Sequence, residues 1–307
     1  MVAGGETDSA FQVATTGRRR FLQLAGVTVV AAHAQPAARA MRLGVVADCT
    51  DAEAGIRRVK ELGFTTCEIA LAAYDGGSAK KLRAALDRYG VEATALLVTG
   101  PGPEVDPLAD GPRTLGLVPA KTRDDRVLLL RKASDFAKSA GIPALRRQLG
   151  FLPEDPGDPV FRQCVDALWK VADHCNRNGQ TLRCETGHET PMALLRVIRG
   201  AAYTNIGVNL DPGALIRYGK ANPVDALDTL GPLVMGVVAD DCLYPADPDA
   251  LGEPKPVGQG KADFPRLLAR LKATGYEGAI TIAGDVSAAQ PAAAVMAAKR
   301  YLEGLLG

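Results

Sequence analysis

The chain has 307 residues, 47% hydrophobic and 23% charged, with a formal net charge of +1, the balance of an ordinary globular protein and not of a disordered one. Aromatic residues make up only 5%, with a single Trp, which disfavours a base-stacking channel for nucleic acid. The near-zero charge implies no polyanionic partner.

Residues 1–40 read as an export signal. The stretch "TTGRRRFLQLAGVTVVAAHAQPAARA" has a basic start, a modest apolar core and a small-residue end. Arg18-Arg19 with Phe21-Leu22 resembles a twin-arginine signal. A short amphipathic helix is the alternative, since the apolar run is short for a membrane span. Cleavage is expected after Ala40, with Ala34 as the second choice. The mature chain then keeps 32 basic and 33 acidic side chains, a net charge of −1, and belongs in the periplasm or outside the cell, without a membrane anchor. Six scattered cysteines lack disulfide-scaffold or zinc-ribbon spacing and read as buried thiols.

From Met41 onward, short apolar or β-branched runs alternate eight times with segments of helical period, the pattern of parallel βαβ units. Strands are predicted at 42–48, 64–71, 91–98, 144–151, 181–187, 205–212, 233–240 and 279–285. Helices are predicted at 51–63, 78–90, 123–141, 158–179, 190–200, 222–231, 262–275 and 288–307. Eight units in one domain, 41–307, predict a (β/α)8 barrel. The rival doubly wound sheet lacks its glycine fingerprint after the first strand. Two long inserts, after the third and seventh strands, follow carboxyl ends and are candidate lids.

In such a barrel inward side chains alternate along each strand, and the last inward position faces the mouth. That rule places Glu185, Asp211, Asp240 and Asp285 at the carboxyl ends of strands five to eight, with Ile280 and Ile282 packed outward. Carboxylates that converge need a cation, a basic partner or a shared proton. An oxygen-only set suits a hard divalent ion. Polar strand ends beside wet loops are the bland alternative.

The segments "ETGHETP", "NLDPGALIRYGKANPVDAL" and "DCLYPADPDALGEPKPVGQGKADFP" carry more. They resemble the sugar phosphate isomerase/epimerase family with its xylose-isomerase-like barrel, and the resemblance runs from Met41 to the end. It implies a divalent metal (Mn2+, Mg2+ or Zn2+) held by Glu, Asp, His and Glu from strands five to eight, and proton transfer beside a sugar carbonyl. Glu185 matches the first glutamate, as base and ligand, and Asp211 the aspartate. The histidine falls on Val238 and the second glutamate on Ala283, so half of the shell is missing. A histidine often found on strand four falls on Gln148. Asp241 matches an aspartate that positions substrate or metal, and Asp240 replaces a lysine. Asp240 and Asp285 are the candidates for a substitute oxygen shell around Glu185 and Asp211, although one inward step along a strand, about 6.6 Å, is long for a single ion.

Arg183, His188 and Gln148 are candidate substrate-binding residues. Arg183 precedes Glu185 by one inward step. It would neutralise that glutamate, hold an anionic substrate group, or balance the carboxylate ring. Of the two histidines beyond residue 40, His174 reads as helix packing and His188 sits in the loop after strand five. Two readings follow: an exported sugar isomerase or epimerase acting on a small carbohydrate, or a barrel without catalysis that binds carbohydrate, self-associates or supports a partner subunit. The endonuclease branch of the same superfamily needs a histidine-rich metal cluster and a basic DNA path, which this composition opposes.

Overall fold

The computed structural model describes residues 41–71, 73–104, 108–285 and 292–307. The expected export signal lies outside them, as does the side chain of Asp285. Eight parallel strands close into a ring: β1 (Arg42–Asp48), β2 (Thr66–Ala70), β3 (Glu92–Leu97), β4 (Ala144–Gln148), β5 (Thr181–Glu185), β6 (Ile206–Leu210), β7 (Val234–Ala239) and β10 (Ala279–Asp285), which pairs back onto β1. A hairpin of β8 (Asp241–Cys242) and β9 (Pro254–Lys255) lies between the last two. This is the (β/α)8 barrel expected from the alternation, and pairing of β10 with β1 excludes the open sheet.

The outer layer comprises α1 (Ala52–Glu61), α2 (Gly76–Tyr89), α3 (Gly111–Thr114), α4 (Ala120–Ala140), α5 (Pro159–Arg177), α6 (Pro191–Ala201), α7 (Pro212–Arg217), α8 (Pro223–Leu230), α9 (Phe264–Ala273) and α10 (Ala292–Leu306). Local chemistry sets their limits. Side chains of Asp51, Thr190 and Asp211 accept the orphan amides of Ala54, Ala193 and Ala214 at helix starts. Gly90 and Gly141 take left-handed φ of 59° and 73° where α2 and α4 stop. Outward-facing Val45, Ile69, Val208, Val237, Ile280 and Ile282 are all buried beneath the helices. That area, removed from water at about 25 cal/mol per Å2, drives the closure.

The interior is different. Bonds between strands that are not neighbours must run through the barrel, and Arg146 on β4 and Thr281 on β10 both reach Glu68 on β2. Branched aliphatic layers commonly fill such a core; here much of the filling is charged.

Buried charges also pin both inserts. Arg126 donates to the carbonyls of Pro101, Pro103 and Gly116, and Arg147 grips both oxygens of Glu104. In the second insert, the buried Asp241 accepts from the amides of Cys242, Gly258, Gly260 and Ala262. All six cysteines are buried, and His174 packs between α4 and α5, 2.7 Å from Asp135.

Candidate functional site

The carboxyl ends of β4 to β7 gather the expected residues. Glu185, the last residue of β5, is 3% exposed, and β4 and β5 pair so that Arg146 faces Arg183 and Gln148 faces Glu185. The Nε of Arg146 donates to Oε2 of Glu185, Nε2 of Gln148 donates to Oε1 at 3.3 Å, and Nη1 of Arg146 donates to Glu68. Thr281 donates to the other oxygen of Glu68 at 3.2 Å. Burial works to lower the Arg146 pKa, but Glu185 and Glu68 outweigh it and hold the guanidinium above its ordinary value. Neutralisation of Glu185 was one of three roles open to Arg183; the hydrogen bonds to Glu185 come from Arg146 and Gln148 on the neighbouring strand.

Asp211 follows β6 and caps α7, its Oδ1 accepting from Ala214 at 2.8 Å. Burial, then Asp240, then Glu185 push its pKa well above the usual carboxylate range. Asp240 accepts from the Asp241 amide at 2.8 Å and is raised too, first by burial. Gly213 makes room for it, since a Cβ there would lie 2.7 Å from the Asp240 carboxyl carbon. The two acids thus hold protons more tightly than exposed carboxyls do. Asp241, next in sequence, has both oxygens engaged by loop amides and anchors the second insert.

His188 is 2% exposed and packs at tilted angles against Phe151 and Tyr218, with ring centroids 5.1 and 4.3 Å away, and those two rings also meet edge to face at 5.8 Å. The three rings come from loops after β4, β5 and α7, so they lock one wall of the mouth. Lys220 lies over Phe151, its Nζ 5.4 Å from the ring centroid. Glu189, beside His188, has both oxygens buried without a hydrogen-bond partner among the described residues, and burial pushes its pKa up to about 8.

The four-ligand metal shell implied by the sequence resemblance does not fit these residues. Val238 is a buried aliphatic on β7 and Ala283 offers only a methyl group. Glu185 is engaged by Arg146 and Gln148, and Asp211 by a helix amide. Among the described residues no group of three or more His, Cys, Asp and Glu side chains is arranged to hold a metal ion. The proposed ligand Asp285 has its side chain outside the described residues.

Arg146, Glu68, Asn209 and Glu189 escaped the sequence reading. The inward-step rule that singled out Arg183 reaches Arg146 equally, one step before Gln148.

Fold and mouth together define a (β/α)8 barrel with a carboxylate-lined carboxyl end, the face where such barrels carry their sites. The profile of the xylose isomerase-like TIM barrel family matches residues 56–304, and the chain belongs to that family. Among solved structures, it is similar to a xylose isomerase domain protein from Planctomyces limnophilus, with 28% identity, a TM-score of 0.80 and coverage of 87% of this chain and 97% of that one. A D-tagatose 3-epimerase-like protein matches at 20% identity and a TM-score of 0.68, with 87% and 97% coverage. A xylose isomerase-like TIM barrel protein from Mycobacterium smegmatis, solved in complex with magnesium, matches at 17% and 0.63, with 83% and 87% coverage. No curated protein matches the sequence.

Proposed function

We propose that this chain is an exported member of the family that binds a small carbohydrate at the barrel mouth without the metal-assisted proton transfer implied by the sequence resemblance. One observation carries the reading: a guanidinium, Arg146, holds Glu185, the residue that would have to serve as ligand and base. A fixed positive charge already balances that carboxylate, and Val238 and Ala283 supply no donor to draw it toward an ion. Neighbours named for epimerase activity support a carbohydrate as the ligand class. Gln148, Asp211 and Asp240 supply polar contacts for hydroxyl groups, and the partly exposed Phe151, backed by His188 and Tyr218, offers a ring for a sugar's C–H surface. The twin-arginine-like segment supports export and a free sugar over a phosphorylated one.

A second reading, a sugar isomerase or epimerase that uses carboxyl groups alone, is favoured by the raised proton affinities of Asp211 and Asp240, which suit general acid-base work. One experiment separates them. The mature protein is titrated calorimetrically with a panel of free aldoses and ketoses, with EDTA or with Mn2+, and each bound sugar is followed by NMR in D2O. Binding indifferent to EDTA, with no deuterium entering beside the carbonyl, is expected. Exchange that needs Mn2+ would overturn the proposal, and exchange without metal would establish the second reading.

A further inference from the structure

One step below the mouth, the barrel holds polar groups that the network of Glu68, Arg146 and Glu185 does not satisfy. Arg183 lies at the level of Arg146, and its Nε is buried without a hydrogen-bond partner among the described residues. Its opposite charge is Glu68, but the oxygens of Glu68 already accept from Arg146 and Thr281. Arg146 adds repulsion, and burial pulls the Arg183 pKa below its ordinary value. Asn209 on β6 is 0% exposed, and both ends of its amide lack partners among the described residues. The two side chains meet at one patch of wall. A Cβ built on Gly236 would lie 2.1 Å from Asn209 Oδ1 and 3.1 Å from Arg183 Nη1. Glycine on β7 therefore lets both groups pack side by side against bare backbone.

A buried guanidinium Nε left without an acceptor is costly, and planar oxyanions fit the donor fork of arginine best. We propose that Arg183 and Asn209 form an oxyanion subsite beneath the mouth that receives the carboxylate of a sugar acid. The amide NH2 of Asn209 adds one donor to the guanidinium fork. This rests on the carbohydrate reading above and narrows its substrate class to acidic sugars. Free inorganic oxyanions share the same chemistry and are the alternative source.

The test uses the mature full chain, with D-glucuronate, D-glucose, sulfate and chloride as probes at matched ionic strength, read by calorimetry and thermal shift. Wild-type protein is expected to bind glucuronate about 10- to 100-fold more tightly than glucose, the worth of a hydrogen bond to a charged group. In Arg183→Met that preference should vanish, and the fold should survive because an unpaired charge is replaced by an apolar chain. Asn209→Asp supplies the missing partner in place, so it too should lose the preference, with a melting temperature at or above wild type. Equal affinity for glucuronate and glucose, or a preference that survives both variants, would overturn the subsite. Sulfate that stabilises through Arg183, with no sugar bound at all, would keep the subsite, assign it to free anions and refute the carbohydrate reading. No response to any probe would refute both.

Discussion

Glu189→Gln tests how far burial governs this site. The Glu189 carboxyl is 2% exposed, its oxygens lack partners among the described residues, and its pKa rises to about 8. Burial is the main cause; nearby backbone amides and Lys220 oppose it, and Glu185 reinforces it. In the unfolded chain a glutamate titrates near its ordinary value of about 4.3. Between those two values the folded state binds more protons than the unfolded state, so stability falls as pH rises across the window. At 1.36 kcal/mol per unit, the loss between about pH 5 and pH 8 is roughly 3 kcal/mol. Glutamine keeps the shape and does not titrate, and the cost of its own buried amide is a constant offset. Urea unfolding of both proteins at a series of pH values isolates the effect. The difference in unfolding free energy should move in favour of the glutamine variant as pH rises, by roughly that amount. Parallel pH profiles for the two proteins would refute the reasoning, because they would mean that the folded carboxyl titrates like an exposed one.

Arg146→Met leaves Glu68 and Glu185 buried without their shared cation, and should cost about 3–5 kcal/mol in urea unfolding. Adding Glu68→Gln and Glu185→Gln removes the stranded charges and should restore most of that loss. Asp241→Ala releases the amides of Cys242, Gly258, Gly260 and Ala262. It should destabilise the protein by about 2–4 kcal/mol, more than one charged hydrogen bond is worth, and open the Lys261–Ala262 bond to tryptic cleavage under native conditions.

The strand and helix pattern was legible because a buried outer face imposes its period on the sequence. The eight strands fall within three residues of the segments read from apolar runs. Helix α7 was missed because six residues are too few to display a helical period, and its cap, Asp211, was read only as a ligand. That Val238 and Ala283 stand where the resemblance implies ligands was legible position by position. The network around Glu185 and Asp241 was not. Arg146 bonds Glu68 across 78 residues of chain, and Asp241 is held by amides 17 to 21 residues further on. Such partners are set by strand order and loop closure, which the local spacing of charged residues does not encode. Two adjacent aspartates therefore looked equivalent in the sequence, although Asp240 borders the mouth and Asp241 ties down a loop.

The buried cysteines carry a last consequence. Burial pushes the thiols of Cys164 and Cys175 up to about 11 and that of Cys242 up to about 12. At pH 7 only about one thiol in ten thousand is then ionised at the first two, and disulfide exchange proceeds through the thiolate. These three thiols therefore resist exchange in the folded state, and a change from reducing to oxidising surroundings leaves the helix α5 packing and the second insert that hold them as they are.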